Sequence, residues 1–379
     1  MTDIDRKKTY DQIIDAFHTA YSEIGRIVGD EFLLSSASWK IDTSWPIYKC
    51  YHPKDFRVRR HLLLYWPHGW CKSTLIEKMQ YLYGDDLSQR VSISSDAALR
   101  GTVDGTGKKG VFIAPWIIRR PFNLVSELGH LTKGFDDQVV QTLNELLEDG
   151  EATVNLGVIH KIDPTEYAGI ESKYKDYGTI KFTGDTSYKI TMNGIMIAAT
   201  YDPKFIADQA LRSRFNIIRP DPKLLTGKWT RHINDHSGEF YDKLDGGVIE
   251  DFRSLIKGPA EVLDIDPEVP EIIYNRYKRI NPRDTNAIKS YMRCSKFWGI
   301  ERSEFEIISY YKGRLASQEE ASMSMDNLVQ NYIEKRGGAA TLKQILDGLN
   351  REKSVVYDAL KILKQMRIVK KEGDKFVLL

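Results

Sequence analysis

Three short apolar runs separated by helical stretches restrict this chain more than any other feature. HLLLYW (61–66), FNLVSE (122–127) and GIMIAAT (194–200) are too short for ordinary helices and show no polar alternation over their apolar residues, so they read as strands buried on both faces. TLIEKMQYLYG (74–84) and DDQVVQTLNELL (136–147) follow the first two with helical period. Strands alternating with helices imply an α/β fold built on a parallel sheet, expected over 55–220.

Around this core, 8–34 places Ile13, Ile14, Phe17, Tyr21, Ile24 and Ile27 on one helical face, and Ser35 to Pro53 follows without a period, so 1–54 reads as an N-terminal helix and connector. Helical periodicity resumes after a polar stretch, giving a small helical domain over 221–315, and ASQEEASMS within 316–324 reads as a linker. The 379 residues carry 55 Lys+Arg against 53 Asp+Glu, a balance that excludes a bulk electrostatic coat for nucleic acid. Cys50, Cys71 and Cys294 have no paired spacing, which argues against a disulfide framework or structural zinc. No run approaches the ~20 apolar residues of a membrane span, and MTDIDRKKTY (1–10) lacks a signal-peptide core. A cytoplasmic protein is expected, with no membrane partner.

The chemistry-bearing segment is Trp66-Pro67-His68-Gly69-Trp70-Cys71-Lys72-Ser73, a strand end, a loop and a helix start. Against G-x-x-x-x-G-K-[ST], whose backbone amides and helix dipole cradle phosphates, Lys72 and Ser73 match, while Trp66 and Cys71 replace both glycines. By itself the segment fits an ordinary helix start equally well. FNLVSE ends in Ser126-Glu127, where a nucleotide hydrolase has Asp-Glu; the third strand ends in Thr200; LRSRF (211–215) carries Arg212 and Arg214 ahead of another apolar run. Each has a bland reading, as a solvated strand end, a cap or surface arginines.

In order along the chain, these pieces resemble the AAA+ core of the MCM replicative helicases. SSDAALRGTV (94–103) is similar to the family's lead into its helix-2 insert, SELGHLTKGFDDQVVQTLNELLEDGEATVNLGV (126–158) to its acidic strand end, helix and hairpin start, MIAATYDP (196–203) to its sensor, and LRSRFNII (211–218) to its arginine finger. The resemblance covers about 60–300 and implies a P-loop parallel sheet with a helical lid, ATP and Mg²⁺ as cofactors, and a homo-oligomeric ring such as a hexamer. It implies that Gly69, Cys71, Lys72, Ser73 and Thr74 bind nucleotide, that Ser73 and Ser126 face the metal, and that Glu127 activates water. Thr200 would be sensor 1, Arg214 the finger acting in trans, and Arg283, in NPRDTNAIKSYMRCSKF (281–297), the sensor-2 arginine. Trp66 and Ser126 depart from the family's glycine and aspartate, and only about sixty residues precede the loop, without the family's N-terminal zinc and OB-type parts. Basic loop tips at Lys108 and Lys109, and at Lys173, Lys175 and Lys181 in the segment 158–193, stand where the family's pore hairpins meet DNA, although solvated tips are often basic in any case.

The last 55 residues, 325–379, hold eleven Lys/Arg against seven Asp/Glu, a local excess of four. Their sequence of helices followed by two short strands resembles a winged helix-turn-helix, with Lys353, Lys361, Lys364, Lys370, Lys371 and Lys375 available to DNA phosphates; a regulatory or protein-contact module has equal weight. Two functions follow. The first is an ATP-hydrolysing, helicase-like ring acting on DNA in replication, such as that of a mobile element or virus, with a replication protein as partner. The second is a catalytically impaired DNA-binding scaffold or initiator-like partner that binds ATP without hydrolysing it efficiently.

Overall fold

The computed structural model of the chain describes residues 4–41, 59–66, 69–91, 99–104, 110–128, 137–156, 159, 162–173, 178–184, 186–201, 213–220, 224–258, 261, 268–276, 282–322, 325–349, 353–365 and 368–378. Helix α1 (Arg6–Lys40) precedes β1 (His61–Tyr65), α2 (Lys72–Tyr83), β2 (Ser88–Val91), the antiparallel pair β3 (Thr102–Asp104) and β4 (Val111–Ile113), β5 (Phe122–Val125) and α3 (Asp137–Glu148). There follow β6 (Glu151–Asn155), α4 (Tyr167–Lys173), β7 (Gly178–Phe182), β8 (Ser187–Met192), β9 (Ile195–Thr200) and β10 (Phe215–Ile218). The strands expected at 61–66, 122–127 and 194–200 all form.

Strands β10, β1, β9, β5 and β2 lie in that order in one parallel sheet. Because side chains alternate across a strand, the sheet buries two different faces. Leu62, Leu64, Leu124, Ile197 and Ala199 pack with Leu75, Ile76 and Met79 of α2 and with α1. Leu63, Tyr65, Val125, Met196 and Ala198 pack with Leu143 and Leu146 of α3 and with Val154 and Ile190 from a second, antiparallel sheet ordered β6-β8-β7. Burial on both faces is why these strands read as unbroken apolar runs.

Helix α1 is longer and more central than a lead-in. Ser35, Ser36 and Ser38, which interrupt the apolar period, lie inside the helix and are buried, and two turn their hydroxyls back onto the chain: Ser36 Oγ donates to Phe32 O at 2.8 Å and Ser38 Oγ to Ser35 O at 2.7 Å. A kink at Ser22 (φ 58°, ψ −150°) folds α1 into two arms. Gly25 permits the fold, since a Cβ there would overlap the Phe17 carbonyl. The arms share one core with helices α5 (Gly227–His236), α6 (Glu239–Lys243), α7 (Gly246–Lys257), α8 (Glu271–Arg276), α9 (Pro282–Phe297) and α10 (Glu304–Ser322). The helical domain read from the sequence therefore includes the N-terminal helix. The stretch 316–322, read as linker, continues α10, since Ala, Gln and Glu are good helix formers.

A charged cluster ties these parts to the sheet. Arg60, immediately before β1 and 2% exposed, donates to Glu31 Oε2 at 2.7 Å and to Tyr310 OH at 3.2 Å, while the Ser38 hydroxyl accepts its backbone N–H at 3.0 Å. Its guanidinium also lies over the rings of Tyr291 and Tyr310, which stack 4.3 Å apart.

The C-terminal residues have a core of their own, formed by α11 (Met325–Lys335), β11 (Ala339–Thr341), α12 (Leu342–Leu349), α13 (Lys353–Gln365), β12 (Val369–Glu372) and β13 (Lys375–Leu378). The three strands are antiparallel in the order β11-β13-β12.

Arg60→Ala leaves the largely covered Glu31 without its cation and should cost about 3 kcal/mol in chemical denaturation, a loss that adding Glu31→Leu should partly restore.

Candidate functional site

The register of the parallel sheet brings the proposed residues to one edge. Tyr65, the last residue of β1, lies opposite Thr200, the last of β9, and Val125 of β5 lies opposite Ala198. Glu127 follows two residues after Val125, held in place because Leu128 N donates to Ala199 O at 2.7 Å. The Thr200 hydroxyl donates to Glu127 Oε1 at 3.2 Å. The loop from β1 to α2 leaves the sheet beside them. Ligands of open parallel sheets bind at this carboxyl edge.

The loop closes by means other than the two missing glycines. Gly69 has φ 81°, and Cys71, the N-cap of α2, takes the left-handed conformation (φ 57°, ψ 16°) that the glycine of the pattern takes at no steric cost. In a non-glycine residue that conformation costs roughly 1–2 kcal/mol. Trp66 turns its side chain into the core, and its indole Nε1 donates to Trp70 O at 2.7 Å, bridging the loop's two ends. Trp70 in turn stacks on Trp229 of α5, with ring centroids 5.9 Å apart.

Lys72 opens α2 and is 6% exposed. Its Nζ donates to Trp66 O at 2.7 Å and stands 6.0 Å from the ring centres of both Trp66 and Tyr201. Burial pushes its ammonium down from 10.5 to about 8, with the Glu127 charge opposing the shift. Ser73 and Thr74 complete the first turn, where a helix leaves amides without intrahelical acceptors, and Cys71 makes no side-chain cap. A left-handed residue, a helix start and a buried lysine suit an anionic phosphate.

The metal expected at Ser73 and Ser126 fits less well. Ser126 Oγ accepts two hydrogen bonds from Arg90 of β2, from Nε at 3.2 Å and Nη2 at 3.1 Å, and Arg90 Nη1 also binds Glu77 Oε1 at 3.1 Å. Ser126, at the position where the pattern has a metal-facing carboxylate, is therefore covered by a guanidinium. Among the described residues, no group of three or more His, Cys, Asp or Glu side chains could hold a metal.

The remaining expected residues lie elsewhere. Arg214, just before β10, is bound by its own chain: it pairs with Glu148 at the end of α3 and donates from Nε to Asn144 O at 3.1 Å. Arg283 is the second residue of α9; its side chain, like Lys108, Lys109 and Lys175, lies outside the described residues. Lys173 ends α4 and Lys181 lies on β7, both exposed, with Lys181 directly opposite Lys189 of β8, whose charge is met by Glu151 at 2.8 Å. In the C-terminal unit, Lys353, Lys361 and Lys364 are exposed on α13, and Lys370, Lys371 and Lys375 are exposed on the β12–β13 hairpin. Lys370 pairs with Glu372 at 2.7 Å, and Lys364 lies over the Phe376 ring.

Arg90 and Trp229 join the site without any sequence signal, because each reaches it from an element whose neighbour is fixed only by folding, whereas Tyr201 directly follows Thr200 in the chain. No protein-family model matches the sequence, and no curated protein matches it either. No described helix is long and apolar enough to cross a membrane.

The unfolded chain holds the Lys72 proton up to about 10.5 and the folded chain only to about 8, so folding releases a proton between those values. Stability should rise with pH through that window in wild type, by more than in Lys72→Met, when urea unfolding is followed below, within and above it.

Proposed function

We propose that this chain is an MCM-like AAA+ nucleotide-binding protein that works on DNA as a ring oligomer. One observation carries the reading: a lysine that opens the helix after the central strand, a glutamate past the next strand but one, and a threonine ending the strand between them meet at the carboxyl edge of the sheet. The strand order supports it too. Numbering the five parallel strands as they occur along the chain gives 5-1-4-3-2, which puts the loop strand in the interior of the sheet with the threonine-bearing strand beside it. This order suits the AAA+ resemblance, as do the β3–β4 pair before β5 and the β6-β8-β7 sheet before β9, at the positions of the family's two inserts.

Lys72 and the first turn of α2 would receive the β- and γ-phosphates, Glu127 would orient and polarise the attacking water, and Thr200 would hold the carboxylate and sense the γ-phosphate. The Trp66 carbonyl now holds the Lys72 ammonium, so ligand binding exchanges one neutral acceptor for a charged one. Arg214 would act on a neighbouring subunit's nucleotide only after releasing Glu148. The C-terminal unit, with its helix pair and two-stranded hairpin, would act as a winged helix and lay the lysines of α13 and the hairpin along DNA phosphates. ATP, DNA and a second copy of the chain are the partners of this reading; a replication function and a replication protein partner come from the resemblance.

A second reading, a scaffold that binds ATP but turns it over poorly, is favoured by the Arg90 guanidinium on Ser126.

ATP binding followed by calorimetry, and phosphate release with and without single-stranded or duplex DNA, test both readings. Lys72→Ala should abolish binding. Glu127→Gln should retain binding and lower turnover by about 10²–10⁴-fold if the motor reading holds; equal inertness of wild type and Glu127→Gln with ATP bound would favour the scaffold. Each of Lys361, Lys364, Lys370 and Lys371 that touches a phosphate should, when changed to Ala, reduce the slope of log affinity against log salt by about 0.9.

A further inference from the structure

Arg90 belongs to no motif, yet it occupies the most consequential place at the sheet edge. It lies one residue before the end of β2, opposite Leu124 of β5. Leu124 packs on the α2 face of the sheet, so Arg90 extends over that same face. Its planar fork bridges two elements, donating twice to Ser126 Oγ and once to Glu77 Oε1. Glu77 is four residues along α2 from Ser73, on the same side of the helix and one turn further from the loop. A permanent positive charge is therefore fixed between position 126 and the first turns of α2.

A divalent cation serving Ser73 and Ser126 would need that same corner. Ser126 brings no negative charge to hold it, its hydroxyl oxygen is already taken by two donors, and the guanidinium would repel it. The phosphates need a counter-charge whether or not a metal supplies it. An arginine gives one that never deprotonates and offers two parallel donors to phosphate oxygens.

We propose that Arg90 takes over the electrostatic task of the metal ion, so that the site binds a nucleoside triphosphate as the free anion, clamped between Lys72 and Arg90, without a divalent cation. This rests on the nucleotide reading of the site. With 38% of its side chain exposed, Arg90 has room to turn from Ser126 to a ligand. The exchange gives up two bonds to a neutral hydroxyl for bonds to a charged oxygen, which are roughly twice as strong. The arrangement also accounts for a serine where the resembled family has an aspartate: Arg90 already meets the Glu77 carboxylate, and a second carboxylate at 126 would leave this corner net negative where the phosphates must sit.

Calorimetric titration of the full chain with ATP in excess Mg²⁺ and again in excess EDTA tests the proposal. Wild type should bind in EDTA at least as tightly as in Mg²⁺. Arg90→Gln, which removes one exposed pair and should leave the melting temperature close to that of wild type, should lose about tenfold or more in EDTA, the worth of one charge-assisted bond. Arg90→Gln combined with Ser126→Asp should bind only when Mg²⁺ is present. Wild type that binds ATP only with Mg²⁺, matched by Arg90→Gln, would overturn the proposal and leave Arg90 as a brace between β2 and α2. Wild type that melts cooperatively but binds ATP in neither condition would remove the nucleotide reading itself, and this inference with it.

Discussion

The parallel register of β1 against β9 is the constraint on which the candidate site depends. Opposing Tyr65 to Thr200 ends both strands at one level, and pairing β9 with β5 then brings Glu127 to the Thr200 hydroxyl. A one-residue slip would turn Leu62 and Leu64 from the α2 face to the α3 face and carry Lys72 away from Glu127. Both faces are close-packed cores, so the slip would exchange side chains of different size between them, and that mismatch opposes it.

The helical part secures the loop from the other side. At the Ser22 kink the backbone leaves helical geometry, and carbonyls nearby take side-chain donors: Tyr21 O accepts Trp229 Nε1 at 2.9 Å, and Thr19 O meets His232 Nε2 at the same distance. Trp229 stacks on Trp70, so the kink, α5 and the loop form one connected column. On the opposite flank, Arg60 ties the start of β1 to the second arm of α1 and to α10. A loop built with Trp66 in place of glycine is held in this way by aromatic packing and an indole hydrogen bond, where a glycine loop relies on backbone freedom.

Charge at the sheet edge is finely divided. Lys72 sits in a desolvated place that lowers its hold on a proton, and Glu127 partly compensates. Arg90 and Glu77 pair beside Ser126 where exposure weakens their attraction. The edge thus carries two cations along α2, Lys72 at its start on the Trp66 carbonyl and Arg90 against Glu77 further along the helix.

The three buried strands, the helices after the first two and the separate C-terminal unit were legible in the sequence, since periodicity and unbroken apolar runs report local geometry and burial directly. Lys72, Glu127 and Thr200 were legible as candidates because each ends or follows a recognisable strand. The extension of α1 through its serines was not, because serines read locally as breaks, whereas the Ser36 and Ser38 hydroxyls bond to carbonyls of the helix itself. Nor was the role of α1 in the helical core, or the meeting of Arg90 with Ser126, which lie 36 residues apart. Sequence by itself determined the three buried strands, the helices that follow the first two and the residue types available for chemistry. Only the tertiary structure decided which of those residues meet, because strand order, register and the kink at Ser22 are set by long-range packing that no local pattern encodes.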